Sequence, residues 1–383
     1  MNFNKIIAII FVALTMSVVI FSMNLLAINL GATPFWIGLI GSMLQLTYLL
    51  FSLFTFKLFR KLSSTAVMQY AVLLNVIAIV MIPFVSSFKI IPFFALLVGV
   101  SAGMFWPTFE TLLAVKYKDD ELKSNLAVFS VSWSLGATFG FFLSGLIGEV
   151  DVRLSFYSAA VLFLFVSYMI FKGKYEKHTI GELFNKENSG SETVDKSGAV
   201  DFEHKLLYVS WITNFSSFFN FGLVIWLFPK LAMDLGFIPV QIGLLIGILC
   251  LFRTVVFNWL GKSRYFFNAR KLLLIQINFV VAFFILAKCS SLLMFAVAFI
   301  LIGLTTAFTY TASLFYSVDR INVKGSKANV HEAIISAGGL FGPLCGGIVA
   351  HYFSLRSSFV LALGTSLFAI FIQMLILKNS KPR

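Results

Sequence analysis

Charge is scarce in this sequence. Asp, Glu, Lys and Arg make up 12% of its 383 residues, where a soluble domain carries about 25%. A chain with so little polar surface does not face water on all sides. Histidine is rarer still: His178, His204, His331 and His351 are dispersed. They form no acid–base or metal cluster, which argues against an enzyme. Cys250, Cys289 and Cys345 are the only cysteines, and they lie far apart. They supply neither a disulfide framework nor metal spacing, and read as small apolar packing residues. There is no phosphate-cradling Gly-rich loop ending in Lys, so the chain does not run on a nucleotide by itself. No cofactor is expected.

Apolar residues fill the space that charge leaves. They form 59% of the chain, and the mean hydropathy is +0.95. They fall in runs long enough to cross a bilayer, for which a helix needs about 20 residues. A helix also satisfies its own backbone hydrogen bonds, so lipid can surround it. The pattern predicts twelve spans, at 6–29, 35–56, 65–84, 91–115, 125–148, 154–171, 206–229, 239–260, 271–287, 292–316, 328–350 and 357–377. The first is too long for the core of a secretory signal and reads as a retained helix.

Basic residues orient the spans. One side receives Lys57, Arg60 and Lys61, then Lys116, Lys118 and Lys123, then Lys262, Arg264, Arg270 and Lys271, then Arg320, Lys324 and Lys327, and the residues near both termini. The other side receives only Lys89, Arg153, Lys230, Lys288 and Arg356. The positive-inside bias makes this a multi-pass protein of the cell membrane with both termini in the cytoplasm. The net charge of +13 is spread over short loops, so it forms no nucleic-acid-binding face.

Residues 173–205 are polar, acidic and rich in Gly and Ser, and read as a cytoplasmic linker. It separates an N-terminal six-helix bundle (1–172) from a C-terminal one (206–383). The halves repeat each other. "LGATPFWIGL" begins at Leu30, and "LGFIPVQIGL" begins at Leu235, 205 residues later. Lys57 and Lys262 keep that offset, and Gly136, Gly140 and Gly145 match Gly338, Gly342 and Gly347 at 202. Ordered matches at nearly equal offsets indicate duplication. The Gly and Pro of the first pair stop one helix and start the next.

Twelve spans, a central linker and the doubled Gly/Pro junction resemble the major facilitator superfamily over nearly the whole chain. "SAGGLFGPLCGG" (336–347) is similar to the eleventh helix of small prokaryotic members. The resemblance implies an all-α integral membrane fold of twelve transmembrane helices in two parallel six-helix repeats. Departures accompany it. "FKLFRKLSS" (56–64) has lost the glycines and the Asp of the family's loop motif, and "GATFGFFLSG" (136–145) lacks the Pro of the drug-antiporter pattern.

By that resemblance, helices 1, 4, 7 and 10 line a cavity. Polar residues at helical spacing fit this: Thr15 and Ser22 on helix 1, Asn214, Ser217 and Asn220 on helix 7, Thr306 and Tyr310 on helix 10, with Gln45 and Tyr48 on helix 2. Each could instead bond a neighbouring helix or its own backbone. Ionisable residues cost about 2.5–3.5 kcal/mol each in a membrane helix and are therefore site candidates. Glu110 and Arg253 are the deep ones, at similar depth in opposite halves, where an ion pair would close the cytoplasmic side. His331 and Glu332 read as first-turn residues of helix 11, meeting the helix dipole. Gly136 and Gly140, with Gly338, Gly342, Pro343 and Gly346, give smooth faces on helices 5 and 11 for packing and for seams that slide. The expected function is secondary active transport of a small solute by alternating access. Glu110 is the carboxylate that proton coupling would need. The chain is expected to be a monomer that meets solute, protons and lipid. The competing reading is a sensor or scaffold on a transporter fold, which moves nothing.

Overall fold

A computed structural model describes residues 3–117, 119–172, 179–182, 199–262, 268–318 and 326–378. The described residues are almost wholly helical. The first four helices are α1 (Phe3–Asn29), α2 (Pro34–Leu58), α3 (Ser64–Met81) and α4 (Ile91–Lys116). The next element, Asp119–Lys172, has 54 residues and contains Asp151 in an extended conformation (φ −158°, ψ 122°). At 1.5 Å per residue, its apolar stretch of 49 residues would run about 74 Å, over twice the hydrocarbon thickness. Asp151 therefore divides two spans, α5 (119–150) and α6 (152–172). Its carboxylate accepts a bond from the Arg153 N–H at 2.9 Å and starts the second arm. The other six are α7 (Ala199–Asp234), α8 (Pro239–Lys262), α9 (Ala269–Lys288), α10 (Leu292–Val318), α11 (Ser326–Tyr352) and α12 (Leu355–Lys378).

Two boundaries differ from expectation. α5 begins at Asp119, and α7 begins at Ala199 within the segment expected to be linker. Polar residues there extend helices past the apolar run, because helix length is not limited to membrane thickness. Most of the remaining linker lies outside the described residues. Its piece at 179–182 lies on the loop after α2: Ile180 N–H donates to Leu62 O at 2.9 Å, and Gly181 N–H to Arg60 O at 3.0 Å. Ile180 is fully buried.

The doubled junction is built twice with one geometry. Gly31 has φ +84° and Gly236 has φ +87°. Gly31 N–H donates to Ile28 O and Ala32 N–H to Ala27 O, both at 2.9 Å. Gly236 donates to Met233 O and Phe237 to Ala232 O, both at 3.0 Å. This is the Schellman cap, in which a left-handed residue ends the helix. Pro34 and Pro239 open the helices that follow. A Cβ on either glycine would meet nothing within 4 Å, so only backbone strain opposes a side chain. Gly31→Ala and Gly236→Ala are each expected to lose about 1–2 kcal/mol, by similar amounts, read as a lowered melting temperature in detergent. A loss at one site alone would separate the two junctions.

Glycines set helix spacing within each bundle. Cβ atoms on Gly136 and Gly140 would collide with the carbonyls of Ile10 and Leu14 on α1. Cβ atoms on Gly338 and Gly342 would collide with those of Phe215 and Phe219 on α7. The targets are again 205 residues apart. Gly346 faces the Leu223 and Leu227 side chains, also on α7. These faces are thus packed inside a bundle, which favours the packing reading of these glycines over the sliding-seam one. The seams use other glycines: Gly145 meets Pro239 and Gly243 on α8, and Gly347 meets Pro34 and Gly38 on α2. Pro343 joins this second seam, its carbonyl lying against Gly38.

Candidate functional site

On the α2–α11 seam, toward the end that carries the termini, Tyr48 Oη donates to Glu332 Oε2 at 2.8 Å. Glu332 is also hydrogen-bonded to Glu110 of α4. A carboxylate has only acceptors, so two carboxyls bond to each other only when one carries a proton. The trio joins the first bundle (Tyr48, Glu110) to the second (Glu332). The expectation for Glu332 was a dipole partner in the first turn of its helix. α11 begins at Ser326, which places Glu332 in the second turn, where the backbone N–H groups are already bonded and the side chain is free to cross the seam.

The expected Glu110–Arg253 ion pair is not formed. Arg253 is 2% exposed, and its described partners are all neutral. Nε donates to Ser134 Oγ at 3.0 Å and Nη2 to Cys250 Sγ at 3.4 Å. The guanidinium carbon lies 4.3 Å from the Trp133 ring centre and 5.1 Å from that of Phe221. The direction around the helix was not legible from the sequence: Arg253 faces Ser134 and Trp133 of α5. Tyr48 and Arg253 are 205 residues apart, and Ser130 and Glu332 are 202 apart. The pseudo-symmetric seams therefore carry different chemistry at matching places, phenol and acid on one, a cation among rings on the other.

Between them lies an aromatic cluster that the sequence reading missed. Tyr310 packs on Trp133 (5.9 Å), Phe218 (6.2 Å), Phe257 (5.5 Å) and His331 (5.1 Å). Its hydroxyl is within hydrogen-bonding reach of Ser130, and Glu110, Glu332 and Arg253 are its ionisable neighbours. His331 Nδ1 is 2.8 Å from Ser313 Oγ. The signal for the cluster was present only as aromatic residues on helices 5, 7, 8 and 10, which lipid-facing packing also uses.

Several buried polar atoms on the helices around this cluster have no protein partner among the described residues: both amide atoms of Asn214 and Ser217 Oγ on α7, Gln45 Oε1 on α2, Thr108 Oγ1 on α4 and His331 Nε2 on α11. Gln45 lies against Gly339 of α11. Asn214, Ser217, Phe218 and Phe221 share one face of α7. Other candidates are used in packing. Thr15 and Thr306 donate to carbonyls of their own helices at 2.6 and 2.7 Å. Ser22 pairs with Ser144 at 2.7 Å, and Asn220 donates to Ser366 of α12 at 2.8 Å. At the opposite end, Asn24 Nδ2 donates to Ile225 O at 3.1 Å and Trp226 O at 2.8 Å, joining α1 to α7.

The sequence profile of the Major Facilitator Superfamily matches residues 6–326 and again 210–383. No curated protein sequence matches the chain. Solved structures do. The nucleoside transporter NupG is 14% identical with a TM-score of 0.71, covering 99% of this chain and 100% of its own. The human organic anion transporter MFSD10 (TETRAN) is 17% identical with a TM-score of 0.66, covering 97% and 100%. A bacterial homolog of the human lysosomal transporter Spinster, inward-facing and occupied, is 11% identical with a TM-score of 0.71, covering 98% and 96%. At these identities the likeness is one of fold, and with the profile match over both halves it makes this chain a multi-pass membrane protein belonging to the Major Facilitator Superfamily.

Proposed function

We propose that the protein is a proton-coupled secondary transporter that moves a small solute by alternating access. Its two bundles, 1–172 and 206–383, rock about the aromatic centre, and both termini are cytoplasmic. The observation that carries the reading is the carboxyl–carboxyl bond between Glu110 and Glu332, braced by Tyr48, because it ties a proton to a contact between bundles. With the proton present, the bond helps hold the cytoplasmic end shut. Without it, two carboxylates face each other in a poorly solvated site and repel. The bundles then separate at that end while Asn24 holds the other. The same carboxyl therefore senses the proton and works the gate.

The test needs no solute. In a variant lacking Cys250, Cys289 and Cys345, Ser217→Cys reports access from the cytoplasmic end by maleimide labelling. Because the thiolate is the nucleophile, each rate is divided by that of a small free thiol at the same pH, and the corrected labelling is expected to accelerate as pH rises. Glu332→Gln supplies an amide that bonds Glu110 in either protonation state, so the corrected labelling becomes slow and insensitive to pH. Glu110→Gln does the same from the other side. An unchanged pH response in both variants would remove the proton from the gate.

A further inference from the structure

We infer that Arg253 anchors a binding site for an organic anion bearing an aromatic group, with Trp133, Phe218, Phe221 and Tyr310 as its walls and Asn214 at its edge. The inference names the substrate class of the transport site and rests on the transporter reading for its use. Three observations converge on it. The first is an unbalanced charge. Arg253 is buried, and its contacts are a hydroxyl, a thiol and two rings. Rings attract a cation but do not neutralise it. A buried charge lacking a counter-ion is strongly unfavourable, and the described protein supplies no carboxylate to it. An anion would.

The second observation is donor capacity. A guanidinium has five N–H donors in a planar fork. Ser134 and Cys250 engage Nε and Nη2, which leaves Nη1 for a carboxylate or sulfonate oxygen. The third is the company. Trp133 and Phe221 touch the guanidinium, and Phe218 and Tyr310 extend the wall. Asn214 is fully buried, and neither amide atom has a partner. It is four residues from Phe218 and seven from Phe221, on their side of α7. A ligand with a charged end, a flat apolar body and one polar substituent meets all three.

The walls come from both bundles: Trp133 from α5, the others from α7 and α10. Bundle separation would thus open the site to one side at a time. The proton held by the carboxyl pair balances the anion, so a monoanion moving with one proton transfers no net charge.

The probes are p-toluenesulfonate, which stays charged at any working pH, methanesulfonate, benzyltrimethylammonium and uridine. Purified protein is heated with each, since a ligand of the native state raises the melting temperature. Toluenesulfonate is expected to stabilise the protein most, methanesulfonate weakly, and the cation and uridine not at all. Arg253→Gln is expected to weaken toluenesulfonate binding at least about tenfold, the scale of one lost charge-assisted bond. Arg253→Lys, which keeps the charge without the fork, loses less and guards against misfolding of the Gln variant. Lys230→Gln, at an exposed Lys230–Asp234 pair, leaves binding unchanged. Stabilisation by uridine instead, or equal toluenesulfonate binding by wild type and both Arg253 variants, would overturn the inference. Proteoliposomes separate it from the transport reading. Uptake of toluenesulfonate driven by a pH gradient and indifferent to membrane potential supports both. Arg253-dependent binding without uptake sinks transport and leaves the anion site standing.

Discussion

Gly342→Leu and Gly140→Leu are each expected to yield no folded protein. The Cβ alone already collides with the backbone carbonyls of Phe219 and Leu14, and a carbonyl inside a helix cannot rotate away. Relief requires α11 to move off α7, or α5 off α1. Overpacking by a few atoms costs about 1–3 kcal/mol, against a total stability of about 5–15 kcal/mol. Leucine adds three more carbons where none fits. Gly342→Ala and Gly140→Ala should survive with lowered melting temperatures, by similar amounts, since the two sites repeat one contact. Gly364→Ala is the control: a Cβ there meets nothing within 4 Å, so α12 gains helix propensity and loses nothing. Fluorescence-detected size exclusion of tagged protein after heating reads all five. A Gly342→Leu variant that melts like wild type would mean α7 and α11 do not pack as described.

Much of this fold was legible because membrane insertion leaves few choices. Apolar length gave the spans, and Glu149, Asp151 and Arg153 marked the break inside the long α5–α6 element. The Gly/Pro junctions gave the repeat, because only a left-handed cap explains Gly at both Gly31 and Gly236. Azimuth was not legible. Gly-x-x-x-Gly shows that a helix has a smooth face, but not which neighbour covers it, so packing and a sliding seam stood equal for Gly136 and Gly338, which lie against α1 and α7 inside their own bundles. Likewise Glu110 and Arg253 were placed at one depth, yet they point to different partners across different seams. Glu332 was misjudged by one helical turn, enough to turn a gate candidate into a cap. Thr15, Thr306 and Asn220 illustrate a further ambiguity. A hydroxyl or amide in a helix bonds its own backbone, or a neighbour, as readily as it lines a cavity.

A disulfide between Ala127→Cys and Gly261→Cys is expected to stop the protein in one state. These positions face each other across the α5–α8 seam near the end that carries the termini, where a Cβ on Gly261 would press on that of Ala127. A bridge there needs only a small outward shift to reach disulfide geometry. It would tie the two bundles at the end the proposed gate opens and leave the Asn24 contact at the other end untouched. In the background lacking Cys250, Cys289 and Cys345, with Ser217→Cys as reporter, oxidation is expected to abolish labelling from that end. Reduction restores the rate of the same background without the two bridge cysteines, because neither Ala127 nor Gly261 contributes a side chain to the site. Raising pH should not reopen the oxidised protein, since the bridge outlasts any repulsion between Glu110 and Glu332. The reduced protein should keep its pH response. Labelling that persists unchanged after verified oxidation would mean that Ser217 is reached without separating α5 from α8. Rocking of the bundles would then give way to a permanently open path.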